Sequence, residues 1–450
     1  MSILIKGGTV INPATNTNEK KDILIDESTG KVFRMDDEIN EKAASIVDAK
    51  GMYVFPGFID MHVHFRDPGQ TQKGDIESES KAAARGGYTS VCAMPNTSPV
   101  VDRPELIRYV HDKAREVGLV NVHQVGAITM NMEGKELSDI SGMVSEGCIA
   151  ISEDGKSVMD SGLLKDAMEL AKEKNITVLS HCEDINLVRG GVMNAGAKAK
   201  ELGAKGISNA VENIIEARDI MLAEETGARL HLCHCSTKES VDLLRDAKAK
   251  GIRVSGEVCP HHFSLTQENI KSIDDANYKM NPPLRTAADV RALRQGLKEG
   301  VLEVISTDHA PHTREEKEKN FNEAPFGIVG LETAASLTFT KLVGKGILSP
   351  MQMAAVMSYN PARILGIDRG DISVGKVADL TIFDPDAVYE VKAEDFAGKN
   401  TNMPYEGMRL KGKVRMTMLG GKITYSTMKD SWFTTVKKAI RSATKKKEKK

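Results

Sequence analysis

The sequence predicts an α/β protein: a (β/α)8 TIM-like barrel with a small β-sandwich domain formed from both chain ends. Three observations predict it. Strand-like and helix-like stretches alternate through the middle of the chain, as parallel strands joined by crossover helices require. Short alternating apolar segments broken by Gly, Asn and Asp recur near both ends. Histidines and aspartates stand at the ends of several middle strands, where a barrel gathers its catalytic groups.

A chain of 450 residues has room for a large core. Its net charge of −2 gives no ground for nucleic-acid or membrane partners and leaves a small-molecule substrate as the expectation. No apolar run is long enough to span a bilayer, and MSILIKGGTVINP turns polar too soon for a signal peptide. The cysteines (Cys92, Cys148, Cys182, Cys233, Cys235, Cys259) lie in or beside apolar runs without a regular frame, as reduced thiols of a cytoplasmic protein would.

Taken in order, ILIKGGTVI, DILIDESTGKVFRM and SIVDAKGMYV read as short strands, and VGKVADLTIFDP and MRLKGKVRMTMLGGKITYS repeat that texture near the other end. Residues 1–53 plus 370–426 are therefore assigned to one β domain, 54–369 to the barrel, and 427–450 to a basic, flexible tail. Within the barrel, strands are expected at 58–65, 88–94, 120–128, 148–154, 176–183, 229–236, 252–259 and 303–309. Helices are expected at 75–85, 103–117, 160–174, 209–226, 237–250 and 286–299. A doubly wound open sheet is disfavoured, because no Gly-x-Gly-x-x-Gly turn follows an early strand.

The first barrel strand carries VFPGFIDMHVHF, in which Asp60, His62 and His64 share a face by alternation. Two imidazoles two residues apart can grip one metal ion. His181 is in phase with Thr177 and Leu179, His234 with Leu230 and Leu232, Asp308 with Val304 and Ser306, and Asp154 with Ala150 and Ser152. If those faces point inward, four His and two Asp converge on one barrel mouth, enough for two metal ions. His62, His64 and a carboxylate would hold one; His181 and His234 would hold the other. His231 and His309 are out of phase, His231 facing a helix; His111 is expected to be solvated, and His261-His262 structural. Cys233-x-Cys235 lacks the second pair of a zinc ribbon.

GFIDMHVHFRDPG, with AMPNT, MNPPLR and STDHAPHT, resembles the class I dihydroorotases of the metal-dependent amidohydrolase superfamily, over essentially the whole chain to about residue 426. The resemblance implies reversible cyclisation of N-carbamoyl-L-aspartate to L-dihydroorotate in de novo pyrimidine biosynthesis. It implies two zinc ions per subunit, other divalent transition metals being able to replace them. His62, His64 and Asp308 would ligate the first, His181 and His234 the second, and Asp154 would bridge. A hydroxide between the metals would be the nucleophile and Asp308 the proton shuttle. Substrate contacts fall to Arg66, Asn96, Asn281, His312 and the backbone of Phe326-Gly327; Arg285 is left to structural pairing. Ser152 stands roughly where hydantoinase-like and allantoinase-like relatives carry a bridging lysine, and Lys156 reads as a loop lysine. Residues 190–206 and 313–327 are expected to be mobile rim loops. The family further implies a homodimer and association with aspartate carbamoyltransferase. Its members usually end near GGKITYS, whereas this chain continues into WFTTVKKAIRSATKKKEKK, where Trp432, Phe433, Val436 and Ile440 fit an amphipathic turn or two.

Overall fold

The computed structural model describes residues 2–41 and 43–428; all but the first two residues of the basic tail read from the sequence (427–450) lie outside them. Among the described residues the barrel has eight parallel strands: Phe58–Val63, Tyr88–Ala93, a third in two pieces (Asn121–Gln124 and Gly126–Ala127), Ala150–Ser152, Thr177–Ser180, Arg229–Leu232, Val254–Val258 and Val304–Ile305. The His64 N–H donates to His309 O at 2.8 Å and closes the ring between first and last strands. Each strand is shorter than the sequence pattern suggests, because the pattern runs on into the rim.

The helices between them are Ile76–Arg85, Pro104–Val117, Ser161–Glu173, Ala210–Thr226, Lys238–Ala249 and Ala287–Glu299, each within a residue or two of its expected span. Their ends follow from local chemistry. Asp75, Asp160, Thr237 and Thr286 accept from first-turn N–H groups, worth about 1 kcal/mol each. Two apolar layers result. Val91, Ile151, Val178, Leu230, Leu232 and Ile305 pack outward with helix residues such as Ile107, Ala167, Ile215 and Leu244. Ile59, Cys92, Val125, Ala150, Leu179 and Val304 fill the barrel, plugged by Ala362 and Leu365 at the end opposite the catalytic rim.

Strands from residues 2–56 and 380–426 form one eight-stranded sheet, in which Tyr53–Pro56 pairs antiparallel with Leu380–Glu390. Ile5, Val10, Ile23, Val54, Leu380 and Met416 form its buried face. Gly57 carries the chain from this sheet into the barrel; a Cβ there would lie 2.2 Å from Thr89 Oγ1, so only glycine fits.

The two rim segments expected to be mobile are packed. Residues 190–206 hold a parallel pair, Met193–Asn194 with Gly206–Ile207, and a helix, Ala197–Glu201. Met193 and Ala199 join an apolar cluster with Leu265, Phe321 and Tyr405. In 313–327, Thr313 caps the helix Arg314–Lys317, and the buried Lys317 Nζ donates to the carbonyls of Lys279, Pro325 and Gly327.

Candidate metal centre

His62 and His64 leave the first strand with their Nε2 atoms 3.1 and 3.4 Å from the two carboxylate oxygens of Asp154. Asp308 Oδ1 lies 3.0 Å from His64 Nε2 and 3.6 Å from His62 Nε2. On the other side of Asp154, its Oδ1 is 3.5 Å from His181 Nδ1 and 3.8 Å from His234 Nε2, themselves 2.8 Å apart. Donors about 2.0–2.1 Å from a tetrahedral metal lie roughly 3.3–3.4 Å from one another, the middle of this range. His62 Nε2 and Asp154 Oδ1 are buried and without a hydrogen-bond partner. Leaving such atoms unsatisfied costs about 1–3 kcal/mol each, which a cation between them would relieve. The donor set therefore fits a metal.

The charge pattern points the same way. Burial opposes ionisation throughout, yet the neighbours prevail. Opposing burial, the His62 charge and the nearby His181 and His234 rings hold Asp154 well below the usual carboxylate range. The His64 bond and the His62 charge keep Asp308 down to about 2. The Asp154 charge raises His62 well above an ordinary imidazole, and the nearby Asp154 with the bond to Glu183 raises His181 to about 10. The centre demands positive charge, from protons or from metal ions.

An outer layer orients the ring nitrogens. Glu257 accepts from His62 Nδ1 at 3.0 Å, Asn96 Oδ1 from His64 Nδ1 at 2.8 Å, and Glu183 from His181 Nε2 at 3.2 Å. In each case the other ring nitrogen is the one turned to the centre, where it holds a proton or, in its place, a metal ion.

The cleft above has a volume of about 190 Å³, and its walls include every expected site residue except His62, which is fully buried. Arg66 donates through Nε to Pro311 O and through Nη2 to His312 Nε2, both at 3.2 Å. Burial lowers it to about 10, still a cation at neutral pH, and Nη1 meets no protein acceptor among the described residues. Asp67 is engaged by Lys113 and Tyr109, so Arg66 is free of its sequence neighbour. His312, lowered to about 3 by burial and the Arg66 charge, is neutral; its Nδ1 bonds Glu316. Asn402 holds the His312 N–H and donates to Ala310 O and Gly327 O, fixing this wall. Gly327, at φ 125°, could carry no Cβ, which would sit 2.7 Å from that of Ala310. Asn281 Nδ2 donates to Glu183 Oε1 at 2.9 Å.

Three histidine expectations are corrected. His231 does not face a helix: Leu230 and Leu232 do, and His231 bonds Ser255 Oγ at 2.8 Å and Glu257 at 3.1 Å. His234 reaches the centre despite its phase, because its left-handed backbone (φ 36°) breaks the alternation. His111 is half-buried, not solvated, with Glu146 O and the Gln124 N–H on its ring nitrogens. Asp60 shares no part in the cluster; it accepts from the N–H groups of His62 and Thr307. Arg285 pairs with buried Glu212 at 3.1 Å, and Lys156 donates to Met132 O. Sequence reasoning missed Glu257, Glu183 and Asn402. Glu257 had a signal, a lone carboxylate amid the apolar strand Val254–Val258, since a buried charge needs partners. Asn402 had none.

A family model described as Dihydro-orotase-like matches residues 51–240, and one described as Amidohydrolase family matches 335–425. The dihydroorotase of Pelotomaculum thermopropionicum is 48% identical over 94% of this chain and 98% of its own length. That of Geobacter metallireducens is 47% identical over 94% and 100%. Among solved structures, the dihydropyrimidinase of Brevibacillus agri superposes with a TM-score of 0.83 at 25% identity, covering 95% of both chains. The L-hydantoinase of Arthrobacter aurescens gives 0.82 at 26%, over 95% of this chain and 96% of its own. The chain belongs to the dihydroorotase family of the amidohydrolases.

Proposed function

We propose that this protein is a dihydroorotase of de novo pyrimidine biosynthesis, interconverting N-carbamoyl-L-aspartate and L-dihydroorotate with two zinc ions per subunit. The observation that carries the reading is the meeting, in one cleft, of a metal-type donor cluster and a buried arginine with unpaired N–H groups. His62, His64 and Asp308 would hold one ion, His181 and His234 the other, with Asp154 between them. Bound zinc would lower the pKa of water toward 7 and polarise the carbonyl under attack.

The chain's own residues do the rest. Arg66 Nη1 and the free N–H of Nη2 suit a two-point grip on the substrate carboxylate, with His312 and Asn96 at its flanks. Asn281 and the Phe326-Gly327 backbone meet the ring amide edge. In ring opening Asp308 takes a proton from the attacking water and delivers it to the ring nitrogen as the C–N bond breaks; ring closure reverses both transfers. Asp308 suits this exchange because His64 keeps it ionised beside the cleft.

The hydantoinase and dihydropyrimidinase names of the solved neighbours suggest a sister activity. Against it, Ser152 and not a lysine stands on the fourth strand, Lys156 is turned to Met132 O, and Asp154 occupies the space between the histidine pairs. The deciding experiment is hydrolysis of L-dihydroorotate by zinc-loaded protein, with dihydrouracil and allantoin in parallel and a chelated control. Chelator-sensitive turnover of dihydroorotate, with dihydrouracil and allantoin turned over slowly by comparison, supports the reading, and faster turnover of a competitor overturns it. The same reading includes a cytoplasmic location, a homodimer and association with aspartate carbamoyltransferase; sedimentation with and without that enzyme tests the last two. Among the described residues no helix is long and apolar enough to cross a membrane.

A further inference from the structure

Glu183 stands between the metal centre and the substrate wall, and touches both. Its Oε2 receives His181 Nε2 at 3.2 Å and its Oε1 receives Asn281 Nδ2 at 2.9 Å. Its own backbone is tied down: the Glu183 N–H donates to Ser157 Oγ at 3.0 Å, and that hydroxyl donates to His181 O at 2.6 Å. A short bracket thus fixes the carboxylate relative to the end of the fifth strand. The consequence for Asn281 is polarity. A carboxamide has a donating and an accepting side, and a carboxylate that accepts one Nδ2 N–H holds that side toward itself, leaving Oδ1 as the acceptor on the opposite side. Asn281 lines the cleft, and its Oδ1 meets no protein donor among the described residues.

We propose that Glu183 is a positioning residue that turns the Asn281 carboxamide so its oxygen faces the cleft, making the site selective for cyclic amides that present an N–H there, and that the same carboxylate couples this selection to His181. This rests on the reading that Asn281 contacts substrate. A substrate edge that only accepts would meet oxygen against oxygen, whereas an N–H finds a preset acceptor. Preorganisation by Glu183 also removes the cost of fixing a freely rotating amide when substrate binds.

A swap experiment tests it in the intact, metal-loaded protein. Glu183→Gln offers an NH2 as well as an oxygen, so Asn281 can turn its Nδ2 toward the cleft; KM for dihydroorotate should rise about tenfold or more, the equivalent of one charge-assisted hydrogen bond. Asn281→Asp places two carboxylates in contact and should raise KM at least as far. The double variant Glu183→Gln/Asn281→Asp restores donor to acceptor between the two residues and leaves an oxygen facing the cleft, so its KM should recover toward that of the parent. Metal content and melting midpoint are read for every variant, and metal retention by chelator competition reports on His181 independently of turnover. Rescue by the double variant supports the inference, because a merely structural carboxylate gives none. Additive losses, or a Glu183→Gln protein with parental KM, overturn it while leaving the dihydroorotase reading intact. An Asn281→Ala protein with parental KM would sink the assumed substrate contact, and this inference with it.

Discussion

Arg66→Lys is the sharpest probe of the proposed substrate. The guanidinium spends Nε on Pro311 O and one Nη2 N–H on His312, and keeps Nη1 and the other Nη2 N–H for a ligand. A lysine would keep the charge but offer a single point in place of a two-point fork, and could not span Pro311 and His312 at once. One charge-assisted hydrogen bond in a buried site is worth about 1.5–3 kcal/mol, so kcat/KM for dihydroorotate should fall roughly 10–150-fold. Dihydrouracil has the ring without the carboxylate, so its slow turnover should change little. The assay is therefore the ratio of the two kcat/KM values in parent and variant, with the melting midpoint as a check on folding. An equal loss on both substrates would mean that Arg66 braces the rim and grips nothing; an unchanged ratio refutes the clamp.

Two further outcomes follow from the geometry. Glu257→Gln keeps the shape of a fully buried side chain that bonds His62 and His231, so it should lower metal affinity about 10–100-fold, read by chelator competition; a change below about threefold would contradict the orienting role. Burial, with the Lys279 charge, holds Lys317 down to about 7 against 10.5 in the unfolded chain. Between those values the unfolded state binds the additional proton, so this residue makes stability rise with pH from about 7 to 10.5. Lys317→Met should flatten that part of the melting-midpoint profile and raise KM by loosening 313–327; an unaltered profile would count against the pinned loop.

Much of the fold is legible because its punctuation is local. Asp75, Asp160, Thr237 and Thr286 mark helix starts, and Gly118, Gly227 and Gly300 take the left-handed conformation that ends helices. Strand ends were read too long because apolar alternation does not stop where hydrogen bonding stops. The Gly, Ala and Lys content of 190–206 and the charged run of 313–327 with its Pro325-Phe326-Gly327 turn point to mobile loops. What packs them lies outside both segments: Leu265, Tyr405 and the Lys279 carbonyl that receives Lys317. No local window contains those partners.

The six ligand-type residues were legible as residue types at strand ends, but the reason they converge was not the one the alternation suggested. Phase works for His181 and Asp154, whose strands keep their pleat: Leu179 and Ala150 face inward, and Val178 and Ile151 outward. It fails for His234, whose supposed companions Leu230 and Leu232 face the helices. The centre instead depends on backbone that leaves the regular strand. Arg66, His234 and Asp308 all have positive φ, at 62°, 36° and 50°, and none is glycine. Such conformations cost about 1–3 kcal/mol each and persist only where surrounding contacts over-determine them. Here those contacts are the buried bonds of Glu257 to the His234 N–H, of Pro311 O to Arg66, and of His64 to Asp308. The rule that side chains alternate along a strand is a rule about relaxed strands, and this site is built where the strands stop being relaxed.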